Sequence, residues 1–164
     1  MNWKPLAVFV PATVLGFLLM GNAPLGNLLW PPAEGPAEPE GTVLVLLMVV
    51  GAIEAVAFGL GACVLAFGLK HARNLTGTTG WLATAVWLSV AWVLVNWIPH
   101  TALHMSVGNL NTPADFGGLA AIEYGFHLTL VAAGTVLMYT LFRVRQGVPA
   151  TTRTTAPATA RRAT

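Results

Sequence analysis

Of 164 residues, only 9% are charged and 55% are apolar, and the mean hydropathy is +0.70. A soluble domain carries roughly 25% charged residues, because a small fold has a large surface to cover with polar groups. The composition therefore weighs against a soluble enzyme, a nucleic-acid binder and a disordered chain, and the eight basic and six acidic residues, net +2, fit an all-α, polytopic integral membrane protein.

Apolar runs of about 18 residues or more read as transmembrane helices. Four are expected, over 5–29, 42–69, 81–98 and 119–142, forming a four-helix bundle. The connections are 30–41, 70–80 and 99–118. The tail, 143–164, is Thr, Ala, Pro and Arg without apolar periodicity and is expected to be disordered.

In the first run, Lys4 and the stretch from Leu6 to Met20 fit the basic and apolar regions of a signal peptide. The best cleavage triplet, Gly21-Asn22-Ala23, is followed by Pro24, and apolar character resumes at Leu25, so an uncleaved span is expected.

The second run carries a stripe of small residues, Gly51, Ala55, Gly59, Ala62 and Ala66, suited to close helix packing. Cys63 is the sole cysteine, which excludes an intramolecular disulfide and a thiolate-rich metal centre. Glu54 stands out. It lies twelve residues in from Thr42, a depth of about 18 Å at 1.5 Å per residue. A carboxylate near the bilayer midplane costs several kcal/mol unless protonated, paired or metal-bound.

The third run places Trp81, Ala85, Ser89, Trp92, Asn96 and His100 on one side. Pro99 is expected to bend or end this helix, with Asn96 satisfying a freed carbonyl. His100 and His104 share a face if a helical turn persists past Pro99. In the fourth run Glu123 and His127 are four apart, about 40° around the axis, and His127 lies about 12 Å from the outer end at Leu119 by the helical rise. Gly134 continues this face as a packing position.

Lys and Arg accumulate in cytoplasmic loops. Lys4, Lys70, Arg73, Arg143, Arg145, Arg153, Arg161 and Arg162 share one side of a four-span chain, while Glu34, Glu38, Glu40 and Asp115 fall on the other. Both termini are therefore expected inside. Trp3, Trp81 and Tyr139 fall at the inner boundary and Trp30, Trp97 and Tyr124 at the outer one, as an aromatic belt requires. The expected setting is a plasma (inner) membrane, with the bilayer as first partner, a homo-oligomer or larger membrane complex as a further one, and no nucleic acid.

Asn96, His100, His104, Glu123, His127 and, more deeply, Glu54 are expected to converge in the outer half of the bundle. Neutral imidazole and carboxylate form the ligand set for Zn, Cu or Fe. The expected ligands of a transition-metal ion are His100, His104, His127 and Glu123, with Asn96 as a cofactor contact. Glu54 and Glu123 are the candidate catalytic, proton-moving groups of a membrane metalloenzyme or redox protein. Haem between His100 and His127 fits less well, because the third span is rich in bulky Trp. A di-iron site needs about four Glu and two Glu-x-x-His motifs, which are lacking. Two other readings stand beside the metal site. One is an accessory subunit whose polar cluster is structural, and the other is a proton-coupled carrier working through Glu54.

Overall fold

In the computed structural model, residues 3–20, 25, 41–77, 80–106 and 113–146 are described, except for the side chains of 43, 102–106, 113–116, 118 and 119. Glu34, Glu38, Glu40, Trp30 and the tail beyond residue 146 lie outside the described residues, as does the side chain of Asp115. Among the described residues the structure is all-helical, with five helices and no strand.

Helix α1 is Lys4–Leu18, opened by Pro5 in its first turn, where a missing N–H costs nothing. Pro11 lies inside it. Helix α2, Gly41–Thr76, is 36 residues long, about 54 Å at the α-helical rise. It runs seven residues past the expected end at 69, because hydropathy reports the apolar stretch and Lys70–Thr76 contains no helix breaker. It stops before Gly77, whose φ of 64° suits the left-handed position after a helix.

The third expected span divides into α3, Trp81–Val95, and α4, Trp97–Ser106. Pro99 does not end the helix at that point. Lacking an N–H, it leaves the carbonyl four residues back, that of Val95, without its helical partner, and the irregularity falls beside that carbonyl, at Asn96. The backbone bonds Asn96 N–H to Trp92 O and His100 N–H to Asn96 O, both 3.0 Å, carry the rod across it. Asn96 Nδ2 braces the joint by donating to Trp92 O at 2.7 Å and Val93 O at 3.1 Å. The expected turn past Pro99 therefore exists and includes position 104. Helix α5, Pro113–Arg145, begins earlier and ends later than the expected 119–142.

Consecutive long rods pack antiparallel. Gly16 of α1 sits against Ala55 and Phe58 of α2, Gly59 takes Phe9 and Thr13, and Cys63 Sγ donates to Pro5 O at 3.3 Å. On the other side of α2, Gly61 faces Ala91, Leu94 and Val95 of α3, and Trp87 Nε1 donates to Val64 O at 2.7 Å. The small residues of α2 thus serve two neighbours. α5 returns along α3, with Val136 and Leu137 against the buried cluster of Ala72, Leu82 and Val86. This up-and-down order brings Lys4, Lys70, Arg73, Arg143 and Arg145 to one end.

Among the described residues, two stretches are long and apolar enough to cross a membrane, Leu44–Thr76 and Ala120–Arg145. α1 and α3 are apolar but 15 residues each. Large apolar side chains are exposed along α1, α2 and α5, among them Val45, Leu46, Ile53, Leu128 and Val131.

Candidate functional site

Where α4 crosses α5, His100, Glu123 and His127 come together. One ligand atom from each lies within 4.8 Å of the others. His100 Nε2 is 3.3 Å from Glu123 Oε1, and His127 Nδ1 is 3.5 Å from the same oxygen. The i, i+4 spacing on α5 sets Glu123 beside His127, and the helical turn after Asn96 delivers His100 from the facing helix.

The orientation of His127 is set by its own helix. Its Nδ1 lies 2.9 Å from the backbone carbonyl of Glu123. A carbonyl oxygen only accepts, so in this bond Nδ1 carries the proton and Nε2 presents its lone pair. A metal-ligating His ordinarily has this type of backing contact. Exposure grades across the cluster, with side-chain values of 16% for His100, 25% for Glu123 and 57% for His127. The cluster therefore has a protected wall on α4 and an open side at His127.

Aromatic rings floor the site. Phe126 lies between Trp92, stacked on it at 5.8 Å between centroids and 6° between planes, and His100 at 5.4 Å. Trp92 Nε1 donates to Thr129 Oγ1 at 3.1 Å, tying the next turn of α3 to α5. The edge of one imidazole meets the face of the other, His100 to His127, at 5.3 Å.

Two imidazoles and a carboxylate are the donor set of a facial-triad or catalytic-zinc type of centre, with coordination positions left over for exogenous ligands. One of the three separations is close to what an ion needs. Metal–ligand bonds of about 2.0–2.1 Å put neighbouring donors of a tetrahedron about 3.4 Å apart, and the His100–Glu123 separation is 3.3 Å.

The other candidate residues fall as follows. Asn96 is fully buried, one helical turn before His100. Its Oδ1 has no hydrogen-bond partner among the described residues. Glu54 is buried at 9% exposure and accepts a 2.7 Å hydrogen bond from Thr101 Oγ1. It is not a member of the three-residue group. Thr101 follows His100 by about 100° around α4, so this short helix turns one polar side chain toward α5 and the next toward α2. His104 belongs to α4, but its side chain lies outside the described residues. His71 is exposed near the end of α2, away from the cluster.

Sequence reasoning missed Thr101 and the Phe126 floor. The first was signalled by its place beside His100 at the level of Glu54, and the second by the helical interval between Phe126 and Glu123. No protein-family model matches the chain, and neither a curated protein nor a solved structure matches it.

Proposed function

We propose that this chain is an integral membrane protein, a four-helix bundle with both termini inside, that binds a transition-metal ion through His100, Glu123 and His127. The site lies in the outer half of the bundle and opens to the extracytoplasmic side. The observation that carries the reading is the meeting of three ligand-type atoms from two helices within 4.8 Å.

Other features support it. Large apolar side chains cover the outside of α1, α2 and α5, which suits a lipid-facing surface and is costly in water. The described basic residues gather at one end, as the positive-inside rule requires of a cytoplasmic face. Polar groups within a span are expensive and are retained chiefly for function. The direct edge contact of the His100 and His127 rings at 5.3 Å favours an ion over haem, whose macrocycle would have to lie between them.

On this reading His100 and His127 supply neutral imidazole nitrogens and Glu123 supplies one anionic oxygen. The backbone of α5 orients His127. Glu54, bonded to Thr101 on the far side of α4, is a candidate reservoir for protons.

Metal content and an absorption spectrum of the detergent-purified protein test the proposal. Stoichiometric Zn, Cu or Fe is expected, and it should be lost in His127→Ala and Glu123→Ala. Metal-free wild-type protein that takes up no Zn, Cu or Fe on reconstitution would refute it.

A further inference from the structure

Helix α4 is held between two walls. Pro99 deprives the carbonyl of Val95 of its helical partner, so α4 joins α3 through a weakened turn, and α3 alone does not fix how α4 is rotated about its own axis. On one wall, Ile98 is 4% exposed and reaches Gly16 of α1, where its Cδ1 would stand 3.0 Å from an added Cβ. Thr101, three residues on, donates from Oγ1 to Glu54 Oε1 of α2 at 2.7 Å. On the other wall, His100 Nε2 is 3.3 Å from Glu123 Oε1, and its ring is 5.4 Å from that of Phe126. Positions 98 and 101 lie about 60° apart around the helix, and position 100 lies about 160° from the first and about 100° from the second.

Of these two contacts on the first wall, the hydrogen bond is the directional one. Apolar packing has no preferred angle, whereas a hydrogen bond weakens steeply away from its own. Its acceptor stands on a firm base. Glu54 is 9% exposed, and the next residue, Ala55, is 1% exposed with its Cα 3.3 Å from the Cβ that Gly16 lacks. The lever is long. A side-chain tip about 6 Å from the helix axis moves about 1 Å for a rotation of about 10°, and metal–ligand distances hold to within about 0.2 Å. Small rotations of α4 therefore decide whether His100 Nε2 stays within reach of an ion.

We propose that Glu54 and Thr101 are a positioning pair for the site. Their hydrogen bond fixes the rotation of α4 and so presents His100 to Glu123 and His127. The proposal rests on the metal reading above and adds to it two residues that touch neither the ion nor its exogenous ligand. In this role Glu54 is a hydrogen-bond acceptor, which requires an oxygen and not a charge. An ion that uses His100 binds one rotational state of α4. Molecules in which α4 has slipped from Glu54 are not competent, and the apparent affinity falls by the fraction that remains aligned.

The full chain, purified in detergent and titrated with Co(II), tests this through the affinity and through the visible Co(II) bands, which report the ligand set. Thr101→Val should weaken Co(II) binding by on the order of tenfold, the weight of a strong interhelical hydrogen bond, and should shift the bands as His100 leaves the ion. Thr101→Ser restores the hydroxyl and Glu54→Gln keeps an acceptor oxygen, so both should stay within about twofold of wild type. Glu54→Leu should match Thr101→Val, and combining the two should weaken binding no further. Trp87→Phe removes another 2.7 Å interhelical bond, that to Val64 O. It lies thirteen residues before His100 on the rod, about 20 Å by the helical rise, and should leave affinity and bands unchanged. Wild-type affinity and bands in Thr101→Val, Glu54→Gln as weak as Glu54→Leu, or equal weakening in Trp87→Phe overturns the positioning role and leaves the metal site standing. Wild-type protein that binds no Co(II), Zn, Cu or Fe overturns both. A merely structural pair would lower stability without moving the Co(II) bands.

Discussion

Replacing Thr101 by Val removes one hydroxyl and almost no volume, and it isolates the polar contact between α4 and α2. Thr76, Thr129, Thr135 and Thr140 bond the carbonyl four residues back on their own helix, at 2.8–2.9 Å. Thr101 turns instead to Glu54 Oε1, at 2.7 Å. Interhelical hydrogen bonds in membrane proteins average about 0.6 kcal/mol and reach about 1.7. The short distance and the burial of Glu54 place this one in the upper part of that range, so Thr101→Val should cost about 1–1.5 kcal/mol. In a Glu54→Leu background the Thr101 hydroxyl is released to its own helix, and the same substitution should cost only a few tenths of a kcal/mol, the scale of a local side-chain–backbone bond. The difference is the coupling energy of the pair. It can be read from reversible unfolding in mixed micelles with increasing SDS, followed by tryptophan fluorescence. Equal costs of Thr101→Val in both backgrounds would refute the reasoning, since the hydroxyl would then act through α4 alone.

Four further outcomes are expected. Gly61→Ala should destabilise the fold by about 1–3 kcal/mol, the usual cost of overpacking, since its Cβ would overlap Val95 and stand 3.1 Å from Leu94 Cβ and 3.3 Å from the backbone oxygen of Ala91. Gly134→Ala, where a Cβ meets nothing within 4 Å, should stay within about 0.5 kcal/mol of wild type in the same micelle assay. Mild acid or a chelator should strip the bound metal, because imidazole ligates only when neutral, and restoring neutral pH with added metal should recover the spectrum. In a Cys63→Ser background, Asn109→Cys should react with an impermeant maleimide on intact cells and Arg145→Cys only after lysis, whereas the reverse pattern would invert the proposed topology.

The all-helical class was legible in the sequence because apolar length and turn chemistry are local properties, but the third run forms two helices and the first helix ends at Leu18, short of the expected 29. The helix ends were less legible. Hydropathy stops at Leu69 and Phe142, whereas the backbone continues until it meets Gly77 or passes Arg145. The effect of Pro99 was legible in kind but displaced in position, since proline disturbs the carbonyl four residues before it and the joint appears at Asn96. Pairing His100 with Glu123 and His127 needed only helical spacing and adjacency of consecutive rods. The partner of Glu54 needed more. Depth along the helices placed Glu54 near the cluster, but depth does not give azimuth. The angle that matters, about 100° between His100 and Thr101, sends one toward α5 and the other toward α2. Similarly, periodicity put Asn96 on the site side, but only atomic packing reveals which end of its amide is engaged.

Two of the three donors arrive on one helix, already adjacent through their i, i+4 spacing and with His127 held by the carbonyl of Glu123. The third, His100, is present only when α4 lies against α5. The apolar stretch of α5 is also the less enclosed of the two long ones, 11% buried against 28% for that of α2. An ion that requires all three donors therefore binds the docked arrangement and not the separated helices, and by mass action its binding free energy becomes helix-association free energy. Metal supply would then set how firmly α5 is retained in the bundle, making assembly of the fourth rod a concentration-dependent property of the ion.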